Sequence, residues 1–166
     1  MTKAVWSGVV AIALVLLVLF STNVFAQTTA TATVTATAAV AAKARLEITG
    51  AVAFADADPE TTTEISASPL DVVVKARTGP AQNVTLTVVA NGDLLSGTQA
   101  IPIANLTWAA TGTNFVPGTA STAAQSVGSW TGSGTRTGTQ TYRLANSWAY
   151  ATGNYTMILT YTLTAP

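Results

Sequence analysis

Every even-numbered residue from Ala30 to Ile48 is apolar: Ala30, Ala32, Val34, Ala36, Ala38, Val40, Ala42, Ala44, Leu46 and Ile48. The odd positions carry threonine from Thr29 to Thr37, then Ala39 and Ala41, then Lys43, Arg45 and Glu47. A period of two sets one dry side on an extended chain, whereas a helix would scatter the same residues around its circumference. Alanine density between residues 36 and 47 suits a helix, but the alternation is the stronger constraint and predicts a strand. Unbroken, that strand would run about 60 Å, against roughly 17–20 Å for strands of ordinary domains. Either it bends into two strands, or its first half leaves the domain as an arm.

The same alternation returns along the chain. "GAVAF" (50–54) predicts a short strand, and "ADADPE", with Pro59, the turn that leaves it. Leu70 to Arg77 forms the next strand, with Leu70, Val72, Val74 and Ala76 on its apolar face. "NVTLTVVA" repeats the form up to Asn91-Gly92, a tight-turn signal after which Leu94 and Leu95 are expected to begin a partner strand. Pro102 demotes "AIPIANLTW" to an edge or bulged strand. Residues 111–128 are loop-like, rich in Gly, Thr, Ser and Ala, with room for one irregular strand. "GSGTRTG" then predicts a turn, and "TQTYRLANSW" a strand with Tyr142 and Leu144 on one side. In the last segment Tyr155, Met157, Leu159, Tyr161 and Leu163 share one face while threonines take the other, with Ile158 the one apolar intruder.

The chain opens with Lys3, an unbroken apolar run from Val9 to Phe20, and Val24-Phe25-Ala26. That is the layout of a secretory signal peptide cut after Ala26; the run is shorter than the roughly 20 residues a bilayer crossing needs. The expected organisation is a signal peptide (1–26), a Thr/Ala-rich strand or arm (27–45) and one domain (46–166). Its expected fold is all-β, an immunoglobulin-like or pilin-like β-sandwich of seven to eight strands after the signal helix. Export would place it outside the cytoplasm, extracellular, periplasmic or on the cell surface, with no membrane contact after cleavage.

Composition removes whole classes of chemistry. With no histidine and no cysteine, serine–histidine triads, thiol nucleophiles, typical zinc sites and disulfides are excluded. Seven carboxylates remain, with no cleft-forming helices around them. The expectation is a protein that is not an enzyme and takes no cofactor. Lys and Arg neither dominate nor cluster, which argues against nucleic acid. Charged residues make up only 8% of the chain, so hydroxyl and amide groups must supply most of the polar surface, as suits a chain that packs against other chains. Asp56, Asp58 and Glu60 alternate as in calcium loops, but without EF-hand spacing they read as a solvated turn. Trp130, Trp148 and Tyr150 lie near turns, where rings stack on sugars or fill a core.

Gly153, Tyr155, Tyr161, Leu163 and Pro166 give the last segment a cadence that resembles the closing strand of WxL cell-wall-binding domains, although Trp-x-Leu itself does not occur. Peptidoglycan binding is what that resemblance implies. The layout of signal peptide, alternating N-terminal strand, small sandwich and Tyr-bearing last strand is similar to pilin and spore-coat-U-like subunits. That resemblance implies an N-terminal strand that completes a neighbour's fold. The expected function is a secreted structural or adhesive surface or matrix protein, self-associating or joining another envelope protein through Ala30, Ala32, Val34, Ala36, Ala38 and Val40. The alternative is a monomeric module that binds cell wall or another polysaccharide through Trp130, Trp148 and Tyr150.

Overall fold

The computed structural model describes residues 29–166; the apolar opening run and the expected cleavage after Ala26 lie outside the described residues. Among the described residues eleven strands form: β1 (Lys43–Thr49), β2 (Glu64–Ser66), β3 (Leu70–Arg77), β4 (Asn83–Ala90), β5 (Leu94–Ser96), β6 (Gln99–Ile101), β7 (Leu106–Thr111), β8 (Gly118–Thr119), β9 (Gln125–Thr131), β10 (Gly134–Ala145) and β11 (Leu159–Thr164). The only helical turn among them is the 3₁₀ segment Ile103–Asn105. No described helix is long and apolar enough to cross a membrane. The all-β expectation is met.

The larger sheet runs β1-β3-β10-β7-β8, with β2 also pairing β10; the second runs β11-β4-β9; β5 and β6 form a separate hairpin. The pairings within them are antiparallel. Parity in the sequence decides which side chains turn inward. Val72 and Val74 on β3, Tyr142 and Leu144 on β10, and Leu106 and Trp108 on β7 meet Val84, Leu86 and Val88 of β4 in one buried cluster. A register shift between Leu86 and Thr87 leaves β9 with one extra residue. This bulge is why two consecutive residues, Val127 and Gly128, are both buried there.

Several elements differ from the sequence expectation. Of the long alternating stretch only Lys43–Thr49 is a strand, paired from Lys43↔Arg77 to Thr49↔Asp71. Lys43–Arg45, expected in the arm, therefore belong to the domain, and residues 29–42 carry no helix, strand or turn. "GAVAF" is not a strand: Gly50 takes φ +116°, which ends the extended backbone of β1, although Val52 and Phe54 still pack against the core.

The Asn91-Gly92 turn does not fold β5 back onto β4. Instead the Asn91 N–H donates to the Ile158 carbonyl at 3.0 Å and its Oδ1 accepts the Ile158 N–H at 2.8 Å. Asparagine thus clasps the chain leading into β11, which pairs with β4 along one edge while β9 pairs along the other. Pro102 ends β6 and opens the 3₁₀ turn, after which β7 lies inside the sheet between β10 and β8. The threonine-rich "GTRTG" is not a turn but the start of β10, a strand of 12 residues. Short pairings such as β2, β5, β6 and β8 account for a strand number above the expected seven to eight.

Candidate functional site

Three surfaces gather the residues singled out from sequence. The first is the N-terminal segment, where Ala30, Ala32, Val34, Ala36, Ala38 and Val40 are all exposed. Val34 is 94% exposed and Val40 70%. Arg77 fixes the point where this segment joins β1, its Nε donating to the Ala41 carbonyl at 2.7 Å.

The second is the flank formed by β1 and β11. Each is a free edge of its sheet, and the two lie beside one another. Central strands bury their inward residues almost completely: Val72, Val74 and Leu86 are 0% exposed. On the flank the inward residues are only partly covered. Leu46 and Ile48 of β1, and the alternating series Tyr155, Met157, Leu159, Tyr161, Leu163 and Ala165, pack against the core while remaining half-buried. Tyr155 and Met157 precede β11 and have no strand pairing beyond the isolated Leu95↔Thr156 bridge. Val52 and Phe54 are likewise inward-facing without a ladder. On both segments the alternation turns apolar residues towards the core with no ladder beside them.

The third is an open groove of about 920 Å³ at the loop end, lined among others by Phe54, Asp56, Trp148, Tyr150, Asn154 and Tyr155. Two sequence-predicted residues meet here. Trp148 is 72% exposed. Tyr150 is half-buried, its hydroxyl accepting the Asn105 Nδ2–H at 2.8 Å. Trp130 does not join them: it is 4% exposed, donates its indole N–H to the Thr113 carbonyl at 2.8 Å and meets Phe115 edge-on at 4.9 Å. Its place on the even, inward parity of β9 opposite Val84 makes it a core residue and removes it as a sugar contact.

The Asp56, Asp58, Glu60 run forms no metal cluster, and none occurs among the described residues. Asp58 instead caps a turn, its Oδ1 accepting the Glu60 N–H at 2.9 Å and its carbonyl the Thr62 N–H at 2.8 Å. Compared with known proteins, the chain matches no family model, and no curated protein resembles it closely enough in sequence to count as a relative.

Proposed function

We propose that this is a secreted structural or adhesive protein of a cell surface or matrix, an immunoglobulin-like or pilin-like sandwich whose N-terminal segment completes the β1/β11 flank of a second copy. It acts by binding rather than by catalysis. The observation that carries this reading is the pairing of two unmet needs in one chain: an exposed alternating segment with no ladder, and a half-covered alternating flank with free edges. The two match in number as well as in kind. Six apolar residues at alternate positions, Ala30 to Val40, face six on the closing segment, Tyr155 to Ala165.

Their sizes complement one another, small alanines against Tyr, Met and Leu. An alanine face contributes little at about 25 cal/mol per Å², so ladder hydrogen bonds along a free edge would supply register and hold, as in β-strand addition generally. Val34 and Val40 are the two larger anchors.

The test compares the protein expressed from its full-length gene with its Val34→Asp and Val40→Asp forms, by sedimentation and negative-stain imaging. The wild type is expected to form oligomers or fibres, and each aspartate to weaken association about tenfold or more, the cost of burying a carboxylate in an apolar slot. A wild-type protein that stays a folded monomer at every concentration tested sinks the reading.

A further inference from the structure

We infer that the loop-end groove binds a neutral oligosaccharide, with the Trp148 indole as its stacking platform and Asp56 and Asn154 as its hydroxyl partners. Assembly through the N-terminal segment leaves this groove's exposed aromatic unexplained. Trp108 and Trp130 are both buried, and each donates its ring N–H to a backbone carbonyl, Val116 at 2.9 Å and Thr113 at 2.8 Å. The Trp148 ring N–H meets no protein acceptor among the described residues, and the ring stands 72% exposed at the groove. An indole standing open at the rim of a concavity is free to stack on a ligand seated there.

This exposure belongs to a built loop. Asn146 donates its amide hydrogens to the carbonyls of Ala57 at 2.9 Å and Thr62 at 3.0 Å, which ties its loop to the chain between those residues. The Ala149 N–H donates to Ser147 Oγ at 3.1 Å, the Asn105 side chain holds the Tyr150 hydroxyl, and the Tyr155 hydroxyl donates to the Ala151 carbonyl at 2.9 Å. Trp148 is thus presented from a loop pinned on both sides, so little ordering remains to be done when a ligand arrives.

The lining sets the chemistry of that ligand. Among the described residues Asp56 is the only charged one in it and no lysine or arginine faces the groove, so phosphates, sulfates and uronic acids find no counter-charge there. The carboxylate of Asp56 and the amide of Asn154 are exposed and make no hydrogen bond within the protein among the described residues. They can accept and donate to hydroxyls. An aromatic face for the C–H side of a sugar ring, with uncommitted polar atoms beside it, describes a site for a neutral glycan. At about 920 Å³ the groove has room for several ring units.

The test is a calorimetric titration of the protein, expressed from its full-length gene, with chitotetraose, cellotetraose, laminaritetraose and tetragalacturonate. At least one of the three neutral tetrasaccharides is expected to give a saturating binding isotherm. Trp148→Ala should then weaken binding about tenfold or more, and Trp148→Phe should restore most of it. The melting temperature serves as a check that folding is intact. Silence from all three neutral sugars at about 10 mM, equal binding by Trp148→Ala, or preference for tetragalacturonate would each overturn the assignment.

Discussion

Tyr142 of β10 and Tyr161 of β11 come from opposite sheets, and their hydroxyls meet at 2.7 Å in the core. Tyr161 donates its proton to Gln140 Oε1 at 2.7 Å, so Tyr142 supplies the proton between the rings. Burial pushes Tyr142 up to about 12. Tyr161 is raised further, by burial first and then by the charge and hydrogen bond of Tyr142. Unfolded tyrosine loses its proton near about pH 10, so above that pH the unfolded chain releases protons that the folded one keeps. Stability is therefore fully present below about pH 10 and is expected to fall as pH rises towards 12, by about 3 kcal/mol from Tyr142 alone. Thermal unfolding measured across this range checks it; a flat profile would mean the pair is not held dry. Glycine matters in the same core because it makes room: a Cβ on Gly128 would lie 2.5 Å from the Trp130 ring, and one on Gly118 would collide with Trp108. Gly128→Ala is expected to destabilise the fold by about 1–3 kcal/mol, read as a lower melting temperature.

At the level of elements, Asn91 shows how a correct local signal can mislead about partners. Asn-Gly is a hairpin signature, yet here the side chain closes the junction between β4 and the distant segment that enters β11. Asn91→Ala is expected to cost about 1 kcal/mol and Asn91→Asp less, because aspartate keeps the acceptor for the Ile158 N–H; denaturant unfolding of the two variants decides it. The strands from Leu70 to Arg77 and from Asn83 to Ala90 were fully legible, because alternation and a flanking turn coincide in both. Alternation reports which way a side chain faces. It does not report whether a ladder partner exists, which is why residues 30–42, 51–54 and 155–157 read as strands and are not. The groove was only half legible: a tryptophan near a turn gives the same local pattern when buried, as Trp130, or exposed, as Trp148, and the distinction depends on which strand lies opposite. Phe54 and Asp56, on the facing loop, carry no sequence signal that joins them to residues a hundred positions away.

Over the whole molecule, charge is divided unevenly. Strands β4, β9 and β11 contain no Asp, Glu, Lys or Arg, and neither do residues 29–42. Arg45 and Glu47 of β1, Lys75 of β3, and Arg143 and Glu64 of β10 and β2 carry the ion pairs of the larger sheet, all at exposed positions: Arg45–Glu47 at 2.5 Å, Lys75–Glu47 at 3.8 Å and Arg143–Glu64 at 3.6 Å. Exposed pairs of this kind contribute little to stability, but they mark which edge carries charge. In the proposed assembly a second copy's N-terminal segment would meet one of two free edges of the flank, β1 with its charges or β11 with its threonines. The uncharged segment complements the uncharged edge, since desolvating Lys43, Arg45 and Glu47 against alanine and threonine would leave charges without water or partners. Assembly along β11 should then be nearly indifferent to salt between about 50 and 500 mM, because there are no charges at the contact to screen. Assembly along β1 would strip water from charges and change with salt over the same range. Sedimentation of the full-length gene product across that series separates the two, and a Thr162→Lys change on the β11 edge, outward-facing in the monomer, should weaken self-association only in the first case.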